Sequence, residues 1–116
     1  MGADDGPHPE DGEGPAREVT LDPFSIAPLT VTNAQFAQFV KETRYVTRAE
    51  QDGFSFVFQG LVPVPGTADE RVRQAPWWIK IGGASLQWPE GPQGDRAEAR
   101  ADHPVVHIAR PDALAY

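Results

Sequence analysis

The chain has 116 residues, 17 acidic and 10 basic side chains, a net charge of −7, 12 prolines, 11 glycines and no cysteine. That length fits a single domain with one modest core, burying about 65% of its unfolded surface, and the lack of cysteine excludes disulfides, thiolate metal sites and cysteine nucleophiles within it. A pI near 4.8 argues against a phosphate-backbone partner. There is neither a membrane-length apolar run nor a basic-then-apolar leader, so the sequence reads as soluble and cytoplasmic, with no nucleic-acid and no membrane partner.

Residues 1–22 hold seven acids and one base, whereas residues 23–116 hold 10 acids and 9 bases. Within this acidic end, residues 1–17 are rich in Gly and Pro, a composition that favours a solvated loop or frayed terminus. Their carboxylates fit no EF-hand register. Glu18-Val19-Thr20-Leu21 and Phe24-Ser25-Ile26 alternate polar and apolar around Pro23, which predicts two short strands or one strand broken at an edge. Thr32 and Gln35 form a capping-box pair, with Val31 and Phe36 placed as a hydrophobic staple, so a helix is expected to start at Asn33 and stop near Thr43. Its apolar face is Phe36, Phe39 and Val40, with Ala37 beside them.

After the turn residues Asp52-Gly53, the aromatic and β-branched run Phe54-Ser55-Phe56-Val57-Phe58 predicts a strand. Residues 61–75 read as an exposed, mobile loop with at most one helical turn. Trp77, Trp78 and Trp88 follow in a stretch broken by turn formers, and residues 93–102 are polar. His103-Pro104-Val105-Val106-His107-Ile108 is a short buried-strand candidate. Pro111 followed by good helix formers predicts a last helix, in which Leu114 and Tyr116 need partners further along, so the chain looks cut.

These residues announce no active site by spacing alone. His103 and His107 are four apart, but on a strand that separation is about 13 Å, too far to share one ion, and hydrogen bonding of each imidazole to local backbone is the default. The three tryptophans are read as core packing, with a sugar or peptide platform as the sharper alternative. No nucleophile, base and orienter stand out in order or spacing, and Gly82-Gly83 is a weak signal for phosphate binding.

Taken together, several segments resemble the formylglycine-generating enzyme and sulfatase-modifying factor family. They are Met1-Gly2-Ala3-Asp4-Asp5, Pro9-Glu10-Asp11-Gly12-Glu13-Gly14-Pro15, Arg17-Glu18-Val19, Asp22-Pro23-Phe24, Val31-Thr32-Asn33-Ala34-Gln35-Phe36, Tyr45-Val46-Thr47-Arg48-Ala49-Glu50, Phe54-Ser55-Phe56-Val57-Phe58, Ala75-Pro76-Trp77-Trp78, Trp88-Pro89-Glu90-Gly91-Pro92 and His103-Pro104-Val105-Val106-His107-Ile108. They run in family order along the whole chain, so residues 1–116 look like the N-terminal part of one sulfatase-modifying factor domain, a fragment at both ends.

The resemblance implies an α/β fold with much irregular structure, C-type-lectin-like and incomplete here. It implies oxidation, with O2, of the cysteine in a sulfatase Cys-X-Pro-X-Arg segment to Cα-formylglycine, in an enzyme of bacterial type that is monomeric when complete. Copper held by two cysteines, and structural Ca2+, are implied for the complete domain, in a half that this sequence does not contain. The fragment alone is therefore expected to be inactive and only marginally folded, with aromatic surface exposed. Ser55, Trp77 and Phe54 fall on motif positions at or near the family's substrate groove, with packing beneath it as their other reading. Two positions depart from the family pattern: Thr30 stands where many members have Glu, and Ala109-Arg110-Pro111-Asp112 replaces a Ser-Trp-Asn-Asp cap, removing an N-cap hydroxyl worth about 1 kcal/mol. An iron-dependent sulfoxide synthase relative and a non-enzymatic lectin-like binding module are the alternatives; the first needs a His/Glu iron motif not seen here.

Overall fold

The computed structural model describes residues 1–62 and 70–116. Its regular elements are α1 (Asn33–Thr43), α2 (Arg48–Asp52), β1 (Phe54–Phe58), β2 (Glu70–Val72), β3 (Ala75–Gly82) and α3 (Arg110–Ala115), with short 3-10 helices at Pro9–Asp11, Gln59–Leu61 and Ala97–Arg100. This is a mixed arrangement of helices and one small antiparallel sheet, ordered β1-β3-β2.

α1 begins where the capping box places it. Thr32 Oγ1 accepts the Gln35 N–H at 3.3 Å, and Gln35 Oε1 accepts the Thr32 N–H at 2.9 Å. Two further N–H groups of its first turn, which a helix cannot satisfy internally, are taken by a passing segment: Asn33 donates to the His103 carbonyl at 2.8 Å and Ala34 to that of Ala101 at 2.9 Å. The helix stops at Arg44, whose left-handed backbone (φ 57°) lets its N–H reach the Val40 carbonyl. The same capping chemistry, Thr47 with Glu50, starts α2, which the sequence reading did not anticipate.

β1 lies where its aromatic run predicts. Ser55 pairs with Ile81 and Val57 with Ile79, which puts Val57, Ile79 and Ile81 on one buried face with Ala84 beneath. The sequence predicts a turn-broken aromatic stretch at β3 and an exposed loop at β2, and the structure corrects both to strands. Each gains backbone partners from the sheet, and a bulge between Arg71 and Val72 lets the short β2 follow β3. Residues 63–69 of the expected loop lie outside the described residues.

Two strand expectations fail. Residues 18–30 form no strand, and Leu21, Phe24, Ile26 and Leu29 are exposed: alternation prepares a strand, but no neighbouring edge among the described residues receives it. The segment from His103 to Ile108 makes one isolated bridge, Thr32 with Pro104. Pro104 has no N–H to extend a ladder, and the chain turns sharply at His107, whose φ is 61°.

Residues 1–17 form a solvated loop that is tied to itself. Met1 and Arg17 exchange two bonds, from the terminal ammonium to the Arg17 carbonyl at 2.6 Å and from the Arg17 N–H to the Met1 carbonyl at 2.8 Å, and Asp4 Oδ1 accepts the Ala16 N–H at 2.8 Å.

α3 forms as predicted. The Tyr116 ring stacks on Phe36 at 5.3 Å and meets Phe39 edge-on at 5.4 Å, while Tyr116 stays 51% and Leu114 73% exposed. Ala109 caps this helix without a side-chain acceptor. Asp112 compensates from the third helical position, its Oδ2 accepting the Ala109 N–H at 2.8 Å.

The Cα radius of gyration is 17.4 Å, against about 13 Å for a compact domain of this length. Within the sheet core, Gly91 has φ 92° and an added Cβ would stand 2.6 Å from Ile81 Cγ2. Gly91→Ala is therefore expected to cost about 2–3 kcal/mol through backbone strain and overpacking, read as a lower denaturant midpoint. A loss below about 0.5 kcal/mol would show that the loop carrying Gly91 does not press on the sheet.

Candidate functional site

Ser55, in the middle of β1, and His107, at the sharp turn before α3, come from sequence positions 52 apart and meet at 2.8 Å between Oγ and Nδ1. The other ring nitrogen, Nε2, lies 2.8 Å from the carbonyl oxygen of Pro89. Pro89 is buried in a turn that Ser85 and Trp88 close with paired backbone bonds of 3.1 Å each.

A carbonyl only accepts, so Nε2 carries the proton, and in the neutral ring Nδ1 is then the acceptor. The Ser55 hydroxyl must donate to it. Burial, the largest influence, pushes the His107 pKa below its ordinary 6.5, opposed by the Pro89 hydrogen bond and the Glu90 charge. A histidine lowered by folding contributes stability that is present above its unfolded pKa and lost as pH falls through the folded one. Thermal melts are expected to weaken as pH drops below 6.5 by more in the parent chain than in His107→Asn. Parallel curves for the two would count against it.

Ser55 and His107 open on a shallow cavity of about 320 Å3 that Arg48, Asp52, Phe54 and Phe56 also line. Arg48 Nε donates to Asp52 Oδ2 at 2.8 Å, so that carboxylate already holds a cation. The Phe54 and Phe56 rings meet nearly at right angles, centroids 5.9 Å apart, with Lys80 Nζ 4.1 Å from the Phe54 centroid. A larger cavity of about 410 Å3 lies across His107, walled by Phe58, Trp78, Pro104 and Val106, with Asn33 at its edge.

Two of the three sequence-predicted site residues, Ser55 and Phe54, therefore share one cavity. Trp77 does not line it. By strand alternation Trp77 lies on the Ser55 side of the sheet, four residues from Ile81, the partner of Ser55, or about 13 Å along the strand. His107 is the member that sequence reasoning missed: of its two bonds one goes to a side chain and the other to a carbonyl 18 residues away. The order Ser, Pro, His holds no periodic signal, and only the fold makes them neighbours.

The tryptophans are neither one core cluster nor one platform. Trp77 and Trp78 are 47% and 41% exposed and, as adjacent strand residues, face opposite sides of the sheet. Trp88 is half-buried under the Arg96 guanidinium, 4.7 Å from its ring.

Residues 1–116 match the sulfatase-modifying factor enzyme 1-like domain. The chain belongs to this family. It is 52% identical over 117 aligned residues to a formylglycine-generating enzyme of Thermomonospora curvata, covering 99% of this chain and 38% of that protein. It is 44% identical to a formylglycine-generating enzyme of Bos taurus, covering all of this chain and 31% of that protein. It is also 43% identical to the inactive Cα-formylglycine-generating enzyme 2 of Bos taurus, over 97% of this chain and 38% of that protein. The chain thus spans about a third of the length of these relatives, and within that third the two bovine proteins are 44% and 43% identical to it.

Among the described residues no three His, Cys, Asp or Glu side chains come together as metal ligands. With no cysteine in the chain, none of its residues is a thiolate ligand for the copper that the family resemblance implies. No helix among them is long and apolar enough to cross a membrane.

Proposed function

We propose that this chain supplies the peptide-holding front of a formylglycine-generating oxidase, built on a C-type-lectin-like fold. Its substrate is the Cys-X-Pro-X-Arg segment of a sulfatase, whose cysteine becomes Cα-formylglycine with O2. The observation that carries this reading is the match of the whole chain to the family domain, with a formylglycine-generating enzyme 52% identical to it. In this reading the ligands for copper and Ca2+ come from the part of the relatives that this chain does not span. The residues here bind and orient the peptide: Ser55 offers a hydroxyl oxygen, Phe54 and Phe56 wall the cavity, and Trp77 extends the apolar surface along the same side of the sheet.

The test is titration of the chain with a Cys-X-Pro-X-Arg peptide, followed by tryptophan fluorescence and by NMR shifts at Ser55. Saturable binding is expected, and a peptide with Ala in place of its Cys should bind within about twofold, because the reacting thiol is not held by these residues. Absence of binding up to millimolar peptide would overturn the reading. The similarity to an inactive relative favours a second one, a family member that holds the peptide without oxidising it. Aldehyde formation by the longest polypeptide carrying this sequence decides between the two.

A further inference from the structure

We propose that His107 is a positioning residue that fixes which way the Ser55 hydroxyl points. Anchored through Nε2–H on the Pro89 carbonyl, the imidazole takes the Ser55 hydroxyl proton at Nδ1, so Ser55 presents only lone pairs to the cavity it shares with Asp52, Phe54 and Phe56. The ligand group it receives is therefore an N–H donor of a bound peptide rather than a carbonyl. This rests on the peptide-holding reading above.

Three features support it. The imidazole has no freedom to turn, since both nitrogens are engaged at 2.8 Å. Its backbone has φ 61°, a conformation that a β-carbon-bearing residue adopts at a cost and that tertiary contacts must hold in place. The groups bonded to the two ring nitrogens are the carbonyl of Pro89 and the hydroxyl of Ser55, and the carbonyl, which can only accept, settles the ring's tautomer.

The first test needs no variant and no ligand. Long-range 15N correlation on the labelled chain should show His107 as the Nε2–H tautomer at neutral pH, with the Ser55 hydroxyl proton coupled to Nδ1; an Nδ1–H tautomer would overturn the proposal whether or not any peptide binds. The second uses the Cys-X-Pro-X-Arg peptide. His107→Asn keeps an acceptor near the Nδ1 position and tolerates the left-handed backbone, so its affinity should stay within about threefold of the parent. His107→Gln, which reaches toward Pro89 instead, and Ser55→Ala should each lose about tenfold, the scale of one hydrogen bond. The double variant Ser55→Ala with His107→Gln should be no weaker than Ser55→Ala alone, because both act through one bond. Additive losses, or equal losses in the Asn and Gln variants, would overturn it. If no variant and no parent binds peptide, the functional reading falls while the tautomer still decides the role of His107.

Discussion

Asp112→Ala is expected to lower stability by about 3–5 kcal/mol, read as a fall in denaturant midpoint at unchanged m-value. Asp112 is 0% exposed, and three donors converge on its carboxylate. Oδ1 accepts the Tyr45 hydroxyl at 3.1 Å and the Arg48 N–H at 2.9 Å, and Oδ2 accepts the Ala109 N–H at 2.8 Å. Alanine removes the partner of all three part-buried bonds, and each unmet donor costs about 1–3 kcal/mol. Asp112→Asn should cost less, about 1–3 kcal/mol: Oδ1 still serves Tyr45 and Arg48, but an amide N–H now faces that of Ala109. An Asp112→Ala loss below about 1 kcal/mol would mean that the link from α1 and α2 to α3 does not run through this carboxylate.

Tyr45 provides an independent check on the same link. Burial first, then the bond to Asp112 and its charge, raise the Tyr45 pKa above 10.0. The stability contributed by a group raised in this way is present below the unfolded pKa and is lost as pH rises through the folded one. The alkaline loss should therefore be smaller in Asp112→Ala than in the parent chain.

Phe36→Ala is the second large effect, expected at about 3–5 kcal/mol. Phe36 is 2% exposed and joins α1 to the end of α3: its ring is 5.3 Å from Phe39, edge-on, and 5.3 Å from Tyr116, nearly parallel. Truncation leaves a cavity between α1 and α3 that neither helix can close without breaking its own cap. Tyr116→Ala removes only one side of the stack from a half-exposed ring, and about 1 kcal/mol is expected. Equal losses for Phe36→Ala and Tyr116→Ala in chemical denaturation would show that α3 detaches before Phe36 is uncovered.

Much of the local structure was legible from neighbouring residues, because its causes are local. Thr32 with Gln35 and Val31 located the start of α1 to the residue, Phe54 to Phe58 announced β1 by side-chain type, and Pro111 opened α3. The second capping box, Thr47 with Glu50, carried the same signal for α2 and was there to be read. Family membership was also legible, since it rests on the order of short motifs rather than on contacts.

The remaining features depended on distant partners. Residues 18–26 alternate as a strand should, yet form none, while β3, interrupted by Pro76 and ending in Gly82, becomes the central strand because β1 and β2 bond to both its edges. Strand pairing is decided by which edges meet, and alternation describes only one edge. The candidate site follows the same rule. Ser55 was identifiable from its motif, but the hydrogen bond that directs its hydroxyl joins β1, the Pro89 turn and the left-handed backbone of His107. Composition and motif order thus determined the family and the helix starts. Tertiary structure alone decided which strands paired, where Tyr116 and Asp112 found their partners, and which way Ser55 points, because each of those depends on a bond between residues the sequence keeps far apart.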